Sequence, residues 1–111
     1  MSKLIEVTDA TFNAEVLRSP VPVAVDFFGE YCGPCRILKP ILELLADDLG
    51  NSAKIVAVDV VASERLALEC GINAVPTILV FREGREVRRM VGLSQLAELR
   101  EELEASNGQP T

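Results

Sequence analysis

Three apolar runs of strand length, at 21–28, 54–60 and 77–82, alternate with segments whose apolar residues recur at helical spacing. This alternation constrains the fold most. A strand covered on both faces reads as a near-continuous apolar run, and such strands belong to a sheet with helices on each side. Val21 to Phe28 has this character, with Pro22 acceptable only near its start. A short strand is expected over 4–7. Thr8 and Asp9 are cap candidates for a helix of about 10–18, with Phe12 and Val16 one turn apart on its inner face. Ser19-Pro20 ends it, and 29–34 reads as a loop. From Cys35 to Leu49 the residues Leu38, Leu42, Leu45 and Leu49 recur at helical spacing. Pro40 lies inside that pattern, so one kinked helix is expected rather than two. A short helix over 64–70 stops at Gly71. Glu83-Gly84 turns the chain from 77–82 into a charged edge strand of about 86–91. Ser94 is the expected cap of a last helix carrying Leu96, Leu99 and Leu103. The order βαβαβαββα predicts an α/β fold: a mixed sheet, parallel at first, with helices on both faces.

Composition narrows the chemistry. The chain has 111 residues, 49% of them hydrophobic, enough for one domain with a real core. Lys plus Arg total 11 against 17 Asp plus Glu, for a net charge of −6, which disfavours nucleic acid as a partner. Histidine is absent, which excludes Ser-His-Asp triads, Cys-His proteases and imidazole zinc sites. Three cysteines cannot supply four ligands to a structural zinc, and an odd count does not suit a secreted disulfide framework. No metal is therefore expected. The first residues meet acids too early for a signal peptide, and no apolar stretch approaches the roughly 20 residues a spanning helix needs. A soluble, cytoplasmic protein is expected, in a compartment that keeps thiols reduced.

Cys32-Gly33-Pro34-Cys35 joins a buried strand to a helix. Cysteines at i and i+3 can form a disulfide without rupture of the backbone. Cys32 falls at or near the helix cap, where unpaired N–H groups and the positive dipole end favour a thiolate. Cys35 lies one turn deeper and should be less exposed. This asymmetry makes Cys32 the attacking sulfur and Cys35 the resolving one. Pro34 suits a first helical turn, and Gly33 admits a partner chain. A metal-binding pair, or two unrelated core cysteines, could show the same spacing.

The stretch Val25-Asp26-Phe27-Phe28-Gly29-Glu30-Tyr31-Cys32-Gly33-Pro34-Cys35-Arg36, followed by Pro40, Ala74-Val75-Pro76-Thr77, Glu83-Gly84 and Gly92, closely resembles the thioredoxin family. The resemblance runs over about residues 4–105 and rests on several separated motifs. It implies the thioredoxin fold, a mixed five-stranded sheet flanked by four helices, as a domain over 1–105; the tail at 106–111, polar and rich in breakers, is expected to be disordered. It implies a protein-disulfide reductase that needs no cofactor beyond a Cys32–Cys35 disulfide. The chain would draw electrons from thioredoxin reductase, act on protein disulfides, and serve electron transport and cell redox homeostasis. It implies that Pro76 is cis and that Tyr31, Gly33, Pro34, Ala74, Val75, Pro76 and Gly92 form the substrate-docking surface, Val75 through its backbone. A monomer is expected. Phe28 and Tyr31 stand where the family usually has tryptophan. A redox-independent binding subunit that uses the same rim is the alternative function.

Asp26 interrupts an apolar strand, and a buried carboxylate is costly unless it is paired or functional. The resemblance makes it the proton acceptor for Cys35. The family commonly places a lysine near this aspartate, at the position of Ala57 here. Lys54 faces the opposite way by strand alternation, and Asp59 shares the face of Ala57 with the wrong sign. Asp26 is thus expected to be desolvated without a cation. Arg36 is either an ordinary solvated helix charge or an aid to the thiolate. Lys39, Arg82, Arg85, Arg88 and Arg89 read as solubilising charge, and Cys70 as a free thiol acting as a small hydrophobe.

Overall fold

The computed structural model describes residues 4–93 and 96–105. Strands β1 (Ile5–Glu6), β2 (Val23–Phe28), β3 (Lys54–Asp59), β4 (Thr77–Arg82) and β5 (Arg85–Val91) form one sheet in the order β1-β3-β2-β4-β5. β3 pairs in parallel with both β1 and β2, whereas β4 is antiparallel to β2 and to β5. The helical elements are a π-helical turn (Asn13–Leu17), α1 (Gly33–Leu49), α2 (Glu64–Glu69) and α3 (Leu96–Ala105). The expected α/β architecture of a mixed five-stranded sheet with four helices is therefore present.

Alternation divides the core in two. Val23, Val25 and Phe27 of β2 join Val56, Val58, Leu79 and Phe81 under the π-helical turn and α2. Ala24 joins Ile55, Ile78, Val80 and Met90 under α1 and α3. Asp26 is two residues from Ala24 and so points to the α1 face. In register it lies between Ala57 of β3 and Ile78 of β4. α1 buries Cys35, Leu38, Leu42, Leu45 and Leu49 on this face and runs unbroken through Pro40, which is on its exposed side. There water can satisfy the carbonyl that a proline leaves without its helical donor. Leu42 is fully buried, so Leu42→Ala is expected to lower stability by about 2–5 kcal/mol in urea melts through lost transfer energy and a residual cavity.

Several local expectations are corrected. β1 is two residues long, although the pairing continues where the Val7 N–H donates to the Ala57 carbonyl at 2.7 Å. The first helix is a π-helical turn rather than a helix over 10–18: the Arg18 N–H reaches the Asn13 carbonyl, five residues back, at 2.9 Å. Phe12 just before it stacks edge-on against Phe81, with ring centroids 5.6 Å apart. Asp9 does not cap its own segment. Its Oδ1 accepts from the Leu66 N–H at 3.2 Å and so caps α2, whose N-cap Ser63 makes no side-chain capping bond. The arginines are not merely solubilising. Arg82 and Arg88 pair with Glu102, and Arg88 also with Glu98, which ties β4 and β5 to α3. Arg89 pairs with Glu86 and donates to the carbonyls of Cys70 and Gly71, holding the C-terminal end of α2. The β4–β5 turn places Glu83 and Gly84 at φ 54° and 80°, the left-handed pair of a two-residue hairpin. A Cβ on Gly84 would come within 3.0 Å of the Leu17 carbonyl oxygen. Ser94 and the tail at 106–111 lie outside the described residues.

Candidate active site

β2 ends at Phe28, and the chain turns through 29–32 before α1 begins. Cys32 is the N-cap of α1, with extended backbone, and its Sγ accepts from the Cys35 N–H at 3.1 Å. One of the helix's orphan donors thus points at this sulfur, an arrangement that favours negative charge on it. Pro34 lies in the first turn, where its missing N–H costs no helical bond. Cys32 and Cys35 form a disulfide with Cα atoms 5.2 Å apart. The two sulfurs differ in access, since Cys32 is half-buried and Cys35 only 5% exposed. Among the described residues no group of three His, Cys, Asp or Glu side chains could hold a metal ion, so a metal-binding reading of the pair has no further ligands there.

The loop before β4 meets this turn from the other side. The Val75–Pro76 peptide is cis, as expected. The Thr77 hydroxyl donates to the Ala74 carbonyl at 2.6 Å, and the Gly92 N–H donates to the Pro76 carbonyl at 2.9 Å. A Cβ on Gly29 would lie 3.4 Å from Val75 Cγ2 and 3.7 Å from Cys32 Cβ. These are ordinary contact distances, so Gly29 lies where the Val75 loop meets Cys32 and a small side chain would also fit there. Tyr31, Gly33, Pro34 and Ala74 are exposed, Val75 and Gly92 are half-buried, and Pro76 is buried. Tyr31, at 87% exposure, is a large ring in solvent beside the disulfide.

Behind the disulfide a cavity of about 250 Å³ is lined by Asp26, Cys35, Phe28, Ala57, Glu6 and Lys39, among others. Asp26 is 3% exposed and its Oδ1 is buried without a hydrogen-bond partner. Burial raises its carboxyl pKa from 3.8 to about 7, and the Lys39 charge opposes the rise. This corrects the expectation that Asp26 has no cation. Ala57 supplies none, as read, but Lys39 comes one helical turn after Cys35 and lines the same cavity. Lys39 is not simply solubilising charge. Asp59 is not among the residues lining the cavity, and its Oδ1 accepts from the N–H groups of Val61 and Ala62. Lys54 pairs with Glu15 at 2.8 Å. Arg36 lines the cavity and donates to the Glu30 carbonyl at 3.4 Å.

Cys70 is free and half-buried, and burial pushes its thiol pKa up, with Glu86 adding to the rise. It is not primed as a nucleophile.

The thioredoxin family model matches residues 3–105, nearly the whole chain. The chain belongs to the thioredoxin family. Thioredoxin 1 of Synechococcus elongatus is 40% identical over 92 residues, 83% of this chain and 86% of that protein. Thioredoxin 1 of Nostoc sp. is 38% identical over 104 residues, 94% of this chain and 97% of that protein. The bifunctional thioredoxin reductase/thioredoxin of Mycobacterium leprae is 40% identical over 99 residues, covering 89% of this chain but 22% of that longer protein. Together with the disulfide at Cys32–Cys35, this makes the chain a thiol–disulfide oxidoreductase of the thioredoxin type, a protein-disulfide reductase whose redox group is its own cysteine pair.

Proposed function

We propose that Cys32 attacks the substrate, Cys35 resolves the intermediate and Asp26 accepts the proton of Cys35. The observation that carries this reading is the unequal setting of the two sulfurs: Cys32 is the half-buried cap of α1, and Cys35 is buried beside the Asp26 cavity. The Cys32 thiolate forms a bond to one sulfur of the substrate disulfide, and the other sulfur leaves as a thiolate. Cys35 then loses its proton to the Asp26 carboxylate. Its thiolate attacks Cys32 Sγ, the mixed disulfide breaks, and the second substrate thiolate leaves. Two electrons pass to the substrate and Cys32–Cys35 is oxidised. A base with a pKa of about 7 is matched to this task near neutral pH.

The docking surface of this reading is Tyr31, Gly33, Pro34, Ala74, Val75, Pro76 and Gly92, drawn from the turn before α1, its first turn, the loop before β4 and the residue after β5. Substrates are disulfide-bearing proteins, and the electron donor is thioredoxin reductase. The name of the Mycobacterium leprae relative, which joins the two activities, supports that donor. The working unit is the domain over 1–105, acting as a monomer. The pathway is electron transport for redox homeostasis in the cytoplasm, where a reducing pool suits a dithiol. Among the described residues, no helix is long and apolar enough to cross a membrane.

The test combines labelling with turnover. In the reduced protein at mildly acidic pH, a small electrophile is expected to modify Cys32 well before Cys35 or Cys70, as read by peptide mapping. With purified thioredoxin reductase and NADPH, a protein disulfide should be reduced catalytically. Modification of Cys70 first would overturn the role assignment. Turnover that needs a small dithiol would replace the reductase with another donor.

A further inference from the structure

We propose that two copies of this chain pair reversibly through the exposed face of α1, with the two helices antiparallel about a twofold axis near Pro40 and Ile41. Ile37, Ile41 and Leu44 are large, apolar and exposed. They follow one another at i, i+4 and i+7, the spacing of a seam between two helices packed side by side. α1 already buries Leu38, Leu42, Leu45 and Leu49 against its own sheet, so its own core does not need this second stripe. Gly33 and Pro40 lie on the same face and are exposed, and a Cβ on Gly33 would meet nothing within 4 Å. From Gly33 to Leu44 the face carries no charge and is low enough for a second helix to approach. Asp48, which ends the stripe, is paired with Arg100 of α3.

Charge order says what covers the stripe. Arg36, Glu43 and Asp47 run along one flank of it, with Glu43 and Asp47 two and three helical turns beyond Arg36. A helix paired antiparallel with its own copy sets this flank against the same flank in reverse order, so that each contact occurs twice. Ile37 of each copy then meets Leu44 of the other, and the two Ile41 side chains meet at the axis. Arg36 of each copy comes level with Glu43 and Asp47 of the other. The acidic end of each helix also comes beside the positive N-terminal end of its mate. A parallel pair would put Arg36 level with Arg36 and acid level with acid, which selects the antiparallel arrangement. The complementary charges belong to this chain itself, which favours a second copy over an unrelated apolar helix as the occupant. The contact involves fewer residues than the roughly 20–30 a side of a stable dimer, so the pair forms only at high concentration. α1 has 17 residues and is about 25 Å long, so the two disulfides lie at opposite ends of the pair. Each domain keeps a complete redox site of its own and works alone when dilute.

The experiment is sedimentation velocity of the full chain from about 5 µM to about 1 mM in low salt, with amide NMR shifts followed over the same range. The average mass is expected to rise toward that of a dimer, with shift changes centred on Gly33, Ile37, Ile41 and Leu44. Leu44→Glu, at an exposed position outside the redox site, should raise the midpoint concentration at least about tenfold and leave disulfide reduction by dilute protein unchanged. Arg36→Glu should weaken pairing about three- to tenfold, and Glu43→Arg with Asp47→Arg in the same chain should recover it, since the reversed flank again complements itself. Added salt should weaken pairing of the parent and strengthen that of Arg36→Glu, whose flanks repel. A monomer throughout the range, pairing that survives Leu44→Glu, or shift changes elsewhere on the molecule would each overturn the proposal. Pairing lost in Leu44→Glu but indifferent to the charge substitutions would overturn the antiparallel arrangement.

Discussion

Cys32→Ser is expected to bring disulfide reduction down to the uncatalysed background, whereas Cys35→Ser is expected to accumulate covalent adducts with its substrates. The difference follows from position. Cys32 caps α1 with an orphan N–H directed at its sulfur, and it is the more accessible of the pair. Serine keeps the cap but is no nucleophile toward a disulfide at neutral pH, so no mixed disulfide forms. Removing the Cys35 thiol leaves that first step intact and blocks the second, which traps the mixed disulfide on Cys32. Non-reducing electrophoresis of each variant after incubation with a protein disulfide, beside a turnover assay, separates the two outcomes. Adducts in Cys32→Ser, or turnover by Cys35→Ser, would reverse the assignment. Should the doubly substituted Cys32→Ser, Cys35→Ser protein retain its biological role, the binding surface would be the part that serves that role.

Asp26→Ala is expected to stabilise the protein at pH 8 by roughly 1–4 kcal/mol and at the same time slow its turnover. The folded carboxyl has its pKa raised to about 7, mainly by burial, against 3.8 for the ordinary group. It binds a proton more tightly in the folded state than in the unfolded chain. Its contribution to stability is therefore fully present below about pH 4 and is lost as pH rises through 7. At pH 8 the folded state carries a charge that is 3% exposed and has one carboxylate oxygen without a hydrogen-bond partner. Alanine removes that charge, and the space it leaves adjoins an existing cavity. At pH 5.5 both states of the site are closer to balance, and the stabilisation should shrink. Ala57→Lys should act oppositely to burial by placing a cation in register with Asp26, which flattens the decline of stability with pH. Urea melts of the parent and both variants at pH 5.5 and 8 read these differences. An Asp26→Ala protein that is less stable than its parent at pH 8 would mean that the carboxylate is already well compensated.

The stability gain and the slower turnover share one cause. Keeping a carboxyl out of water costs folding free energy, yet that desolvation brings its proton affinity near neutrality, where a base for a thiol is useful. The Lys39 charge opposes the rise and so lowers the cost of the buried carboxylate.

What the sequence determined by itself was the pattern carried by local order. Continuous apolar runs placed β2, β3 and β4, and leucines at helical spacing placed the buried face of α1. The span from Cys32 to Cys35 placed the redox pair at a strand-to-helix junction, because capping and disulfide reach are properties of adjacent residues. The tertiary structure decided everything that depended on partners distant along the chain. Asp9 caps a helix 57 residues away. Arg89 holds the carbonyls that end α2, 18 and 19 residues earlier. The cation for Asp26 comes from α1 rather than from the neighbouring strand. Periodicity reports which face a side chain occupies, but not which charge meets it across the layer. That is settled only when sheet and helix pack, where burial makes each surviving electrostatic contact count.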